Sequence, residues 1–221
     1  MRINKFVAIA SGLSRRAADV AIAQGRVRVN DRAPLIGQEI SLTDVVTLDG
    51  QRLSAPTETT TIMLNKPVGY VVSRDGQGSR TIYDLLPAEY HHLKPVGRLD
   101  KDSSGLLLLT DDGNLANELT HPRYDKQKVY EVTLDKALSS PDREQIEQGI
   151  QVEDYTSRLQ LEGAGEKWQV TMRQGKNRQI RKTFTALGYT VTKLHRTQFG
   201  PYQLDIASSS HRAIEPVDTK Q

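Results

Sequence analysis

The sequence predicts an α+β protein in two parts, on three observations. From Ile62 onward short strand patterns dominate. Helical patches fall between them irregularly, without the strict alternation of a parallel βαβ fold. A polar stretch from Ser54 to Thr61, holding Pro56 and four threonines, separates this region from a small amino-terminal module. The expected division is therefore 1–53, a linker at 54–61, a larger domain at 62–206 and a polar tail at 207–221.

In the first part, Ser14 is placed to cap a helix carrying Ala17, Ala18, Val20, Ala21 and Ile22, and Gly25 to end it in a left-handed turn. Arg26-Val27-Arg28-Val29 alternates as a half-buried strand does and turns at Asn30-Asp31. Val45 to Leu48 supplies a further strand, closed by Asp49-Gly50. In the second part strands are expected at 62–64, 70–73, 106–110, 129–134, 159–161, 168–172 and 191–194. Helices are expected at 81–86, 114–119 and 141–148, the last with Pro141 as its first residue after Ser140 and Gly149 as its stop. Beyond Ile206 the chain turns Ser-rich and polar, and a frayed end is expected.

At 221 residues, 37% hydrophobic and 26% charged, the chain can bury a core. It has no cysteine, which excludes disulfides and thiolate metal sites and suits the cytoplasm. Neither a signal peptide nor a membrane span is expected. The net charge of +3 is unevenly spread: residues 1–32 carry +5, residues 173–196 carry +7 without a single acid, and the remainder carries −9. Two basic patches on an otherwise acidic chain point to contacts with a polyanion.

The most informative block is Gly97-Arg98-Leu99-Asp100-Lys101-Asp102-Ser103-Ser104-Gly105, followed by Leu106 to Leu109 and Thr110-Asp111-Asp112-Gly113. Arg98 and Asp100 share one face of an extended segment. The four leucines, bordered by turn residues, read as a strand buried on both faces. A charged pair is thus held against the core, where working carboxylates tend to sit.

This block resembles the catalytic motif of RNA pseudouridine synthases, in particular the ribosomal-RNA group typified by ribosomal small-subunit pseudouridine synthase A. The resemblance extends through Asn65-Lys66-Pro67-Val68-Gly69, Lys128-Val129-Tyr130 and the stretch from Gly175 to Phe199. It implies a catalytic domain built on a mixed, largely antiparallel sheet. Leu13-Ser14-Arg15-Arg16-Ala17-Ala18 and Gly25-Arg26-Val27-Arg28-Val29-Asn30 are similar to an S-four-type RNA-binding domain, named after a ribosomal protein. That likeness assigns RNA contacts to Arg15, Arg16, Arg26 and Arg28.

By the resemblance, Asp100 is the catalytic carboxylate for detaching uracil from ribose and rejoining it through carbon, whether as nucleophile or as base. Arg181 is its salt-bridge partner, Tyr130 stacks on the flipped base, Leu194 floors the pocket and Arg98 fills the gap left in the RNA. Lys176 and Arg178, beside Arg181, are assigned to RNA. If Asn177 caps a helix running to Leu187 and Gly188, then Arg178, Arg181 and Lys182 crowd its positive end, and a carboxylate and RNA phosphates are fitting neighbours for them. No metal, nucleotide or redox cofactor is implied. The partner implied is ribosomal RNA, as such or in an assembling subunit, met by a monomer.

Two other classes compete. Residues 100–105 match the opening of a calcium-binding loop with Asp111 at its twelfth position, but Pro95 and Gly97 break the helix that should enter it. A non-catalytic RNA-binding or ribosome-assembly protein would need the basic patches alone, and would have no use for the aspartate, tyrosine and arginine set.

Overall fold

Ser14 opens the second helix of the chain by accepting a hydrogen bond from the Ala17 amide at 3.0 Å. In the computed structural model, which describes residues 1–41, 43–54 and 58–215, this helix belongs to the first of two compact units, 1–59 and 60–221. The first unit holds α1 (Ile3–Ser11), α2 (Arg15–Ala23), β1 (Val27–Val29), β2 (Val46–Leu48) and β3 (Gln51–Arg52). Ile3 and Val7 of α1 and Ala18, Ala21 and Ile22 of α2 fall at helical spacing and bury themselves against Val27, Val29 and Val46. Arg28 points outward between its two buried valines, and Arg15, Arg16 and Arg26 are also exposed. Asp49 and Gly50, at φ 52° and 80°, make the tight turn between β2 and β3.

The second unit is organised by β4 (Thr61–Lys66), β5 (Lys94–Val96), β6 (Ser104–Thr110) and β7 (Lys128–Leu134). After the short β8 (Ile150–Val152) and β9 (Tyr155–Ser157) come β10 (Gln160–Ala164), β11 (Lys167–Met172), β12 (Val191–Phe199), β13 (Tyr202–Gln203) and β14 (His211–Ala213). One nine-stranded sheet runs β10-β11-β7-β12-β6-β4-β14, with β5 beside β6 and β13 beside β12. Every pairing in it is antiparallel except β12 with β6.

Leu106 to Leu109 are each 0% exposed, because β6 is covered on both faces. Leu107 and Leu109 pack with Ile62, Leu64, Ile180 and Phe184 on one side. Leu106 and Leu108 pack with Met63, Val96, Leu115 and Leu119 on the other. Burying each leucine contributes about 1.5–3 kcal/mol, which anchors the segment just before it. The helices of this unit are α3 (Gly113–Thr120), capped by Asp112, α4 (Ser140–Gln148), capped by Ser139, and α5 (Gln179–Thr185).

Several expectations need correcting. Residues 70–73 form no strand but a single bridge from Val71 to Thr81, and 82–85 form one 3₁₀ turn. Helix α4 starts one residue earlier than its proline suggested, since Ser139 supplies the cap. The expected linker overlaps β4 at Thr61, and Thr60 is tied to Asp111 by a 2.8 Å hydrogen bond; Ala55, Pro56 and Thr57 lie outside the described residues. The supposed tail joins the sheet edge through β14, with 216–221 outside the described residues. Polar composition concealed this because an edge strand needs only backbone pairing on one side. Among the described residues no helix is long and apolar enough to cross a membrane.

Candidate active site

The turn from Gly97 to Ser103 joins β5 to β6 and carries Asp100, whose side chain is 36% exposed. The Ser103 amide closes the turn onto the Asp100 carbonyl at 3.1 Å. Beneath it lies Lys66, fully buried at the end of β4. Its Nζ donates to the carbonyls of Ser103 at 2.7 Å and of Asp100 and Pro67 at 3.0 Å. Burial pushes the Lys66 ammonium down to about 8, against the pull of the Asp100 and Asp102 charges. One buried cation thus satisfies three carbonyls and fixes the backbone that presents Asp100.

Two arginines reach this turn from the segment around α5. Arg178 donates to both oxygens of Asp102 at 3.0 Å, and its Nη1 lies 3.4 Å from Asp100 Oδ2. Arg181 donates to the Asp102 carbonyl at 2.7 Å and the Val191 carbonyl at 2.8 Å. Its Nε sits 3.2 Å from Asp102 Oδ2, an ion-pair distance without hydrogen-bond alignment. The Arg178 hydrogen bonds hold the Asp102 carboxyl below the usual carboxylate range. The expected Arg181–Asp100 pair is therefore corrected: Arg181 serves Asp102 and its backbone, and Arg178 is the cation nearest Asp100. With Asp102 gripped in this way, the calcium-loop reading loses one of its ligands.

The local backbone explains the exchange. Asn177 caps nothing; the residue before α5 is Arg178 in the left-handed conformation at φ 50°, and the helix ends at Thr185. That conformation turns Arg178 back toward residues 100–102, while Arg181, one turn on, passes beneath them.

Asp100, Arg98, Tyr130 and Leu194 line one cleft of about 680 Å³, which Lys176 and Arg178 also border. Tyr130 lies in β7 and Leu194 in β12, where Arg196 pairs with Tyr130 and Leu194 with Val132. Residues opposite or two apart share a face, so the tyrosine ring, Leu194 and Arg196 converge. Tyr130 is 8% exposed, packs in the main core cluster, and its hydroxyl has no hydrogen-bond partner among the described residues. Arg98 is exposed and makes no ion pair there either. Within a lining rich in charged side chains, Tyr130 and Leu194 give the cleft an apolar patch near the Asp100 carboxylate, which suits a nucleobase and its sugar.

In the amino-terminal unit the expected RNA contacts are spread out. Arg26 is bound to Asp49 with an Nε–Oδ1 distance of 2.8 Å, and Arg28 donates to the Asp31 carbonyl at 3.3 Å. Arg15 and Arg16 are exposed at the start of α2.

A model of the RNA pseudouridylate synthase family matches residues 60–186. The chain belongs to that family. Among similar proteins, "Ribosomal large subunit pseudouridine synthase B" of Bacillus subtilis is 32% identical, across 100% of this chain and 94% of that one. "Ribosomal small subunit pseudouridine synthase A" of Pasteurella multocida is 33% identical, across 97% and 96%. A solved structure described as a pseudouridylate synthase superposes with a TM-score of 0.70 at 32% identity, covering 97% of this chain and 96% of that one. Membership agrees with the α+β fold on a mixed, largely antiparallel sheet. Lys66, Lys128 and Arg196 stand within the family-like stretches of the sequence without a role that the sequence alone assigns them. A lysine inside an apolar strand such as Ile62-Met63-Leu64-Asn65-Lys66 is the signal that could have marked the first.

Proposed function

We propose that this synthase converts a specific uridine in ribosomal RNA to pseudouridine, with Asp100 as the catalytic carboxylate. The supporting observation is the convergence of Asp100, Tyr130, Leu194 and Arg98, from separate stretches of chain, on one cleft. In this reading the base leaves the RNA stack, Arg98 takes its place and the uracil meets Tyr130 above Leu194. Asp100 then acts beside the ribose, with the Arg178 guanidinium 3.4 Å from its carboxylate. The likeness of the relatives' names, which specify ribosomal subunits, supports ribosomal RNA as substrate.

The amino-terminal unit is read as an S-four-type RNA-binding domain. Arg15, Arg16 and Arg28 offer charge to phosphates there, and Arg26 shares its charge with Asp49. The enzyme acts as a cytoplasmic monomer on free or assembling ribosomal RNA. Replacing Arg15 and Arg16 by glutamate in the full chain should weaken RNA binding and flatten its salt dependence. Pseudouridine mapping of ribosomal RNA from cells lacking the protein tests the main assignment: one or more sites should be lost, and an unchanged map would refute it.

A further inference from the structure

Two cations in the wall of the cleft form no ion pair among the described residues. Arg196 is 2% exposed; its Nε donates to the Leu106 carbonyl at 2.8 Å, and its buried Nη2 has no hydrogen-bond partner. Lys128 donates to the carbonyls of Arg173 at 2.9 Å and Lys126 at 3.2 Å. Both cations lie over the ring of Phe199, the guanidinium at 4.8 Å and the ammonium at 5.4 Å from its centre. Asp125, the carboxylate whose charge acts on Lys128, is itself bound to Arg173 at 3.3 Å.

Burial and the neighbouring Arg196 charge both push the Lys128 ammonium below its usual value. Like charges under cover are costly, and one aromatic face offsets only part of that cost. The position is also specific. Arg196 stands directly across from Tyr130 in the β7–β12 pairing and beside Gly105 in β6, so the cations lie next to where a flipped base would stack. Uracil is neutral and cannot supply the missing charge. The anionic groups of RNA are its phosphodiesters.

We propose that Arg196 and Lys128 form a seat for the phosphodiester flanking the target uridine. The seat draws that linkage into the cleft and holds the flipped nucleotide against Tyr130. This rests on the reading of the chain as an enzyme acting on a flipped uridine.

The test uses a short RNA that the wild-type enzyme modifies, made with the native linkages or with an uncharged methylphosphonate 5′ or 3′ of the target. Binding is read by fluorescence anisotropy. With wild type, one of the two modified RNAs should bind roughly tenfold more weakly, as expected for loss of a charge-assisted contact. Lys128→Gln should bind the native RNA correspondingly weakly and lose little more on that methylphosphonate. Arg196→Lys, which keeps the charge but loses the fork, should behave the same way in milder form. Wild-type binding that is indifferent to both methylphosphonates overturns the seat without reference to any variant. So do losses from Lys128→Gln and methylphosphonate that simply multiply. Pseudouridine formation reports the underlying activity separately: failure to find any ribosomal RNA fragment that the wild-type enzyme modifies would sink the functional reading, whereas independent losses with turnover intact sink only the seat.

Discussion

Arg178 holds Asp102 in a two-pronged grip, each of its Nη atoms donating to a different carboxylate oxygen at 3.0 Å. The grip sets where the rest of the guanidinium goes, leaving Nη1 3.4 Å from Asp100. Asp102 thereby fixes where the Arg178 guanidinium stands beside Asp100.

Asp102→Asn should therefore impair turnover more than folding. Both partners are half-exposed, so the pair contributes only about 0–1 kcal/mol to stability. Calorimetry should show a small change in Tm, and steady-state kinetics should show a several-fold fall in kcat as Arg178 shifts onto Asp100. An unchanged kcat would mean that the position of Arg178 is irrelevant to the chemistry.

Lys66 gives a pH dependence whose two consequences run in opposite directions. Its folded value of about 8 lies below the unfolded 10.5. Between these limits the unfolded chain holds the extra proton, so this group's contribution to stability rises with pH across that window. The turn suffers instead: an ammonium has three N–H donors for the carbonyls of Pro67, Asp100 and Ser103, and a neutral amine has two. A kcat profile should fall on the alkaline side with a midpoint near pH 8, matched by the ¹³Cε titration of Lys66. A lysine signal that titrates at its ordinary value would refute the account.

Gly105 sits at φ +107° where β6 meets β12, and a Cβ there would overlap the Arg196 backbone. Gly105→Ala should force the two strands apart and cost about 1–3 kcal/mol of stability. Denaturant unfolding measures it, and a stability equal to wild type would show that the seam can yield.

Much of this was legible in the chain. The leucine run and its borders marked β6, because a doubly buried strand has a composition that few other elements share. Ser14, Gly25 and Asp49-Gly50 marked their turns through local backbone chemistry. The pairing of Arg178 and Arg181 was not legible, since it depends on Arg178 taking a left-handed conformation that asparagine or glycine would more readily announce. β14 was hidden for a similar reason: its three residues are polar or small, and only the open edge of β4 makes a strand of them.

Tyr130 is assigned to stacking, which is a property of the ring alone. Tyr130→Phe should retain activity, because the hydroxyl has no partner among the described residues, and Tyr130→Ala should lose about 1–3 kcal/mol of RNA affinity or turnover. Equal losses in kcat/KM for the two variants would transfer the role to the hydroxyl.

The most direct test replaces the Asp100 carboxylate by its amide. Asp100→Asn should bind its RNA nearly as wild type does in a filter assay, because Arg98, Tyr130 and the basic residues are untouched. Mass spectrometry of that RNA should then find no pseudouridine. Formation at the wild-type rate would show that the carboxylate at the centre of the cleft is not the catalytic one.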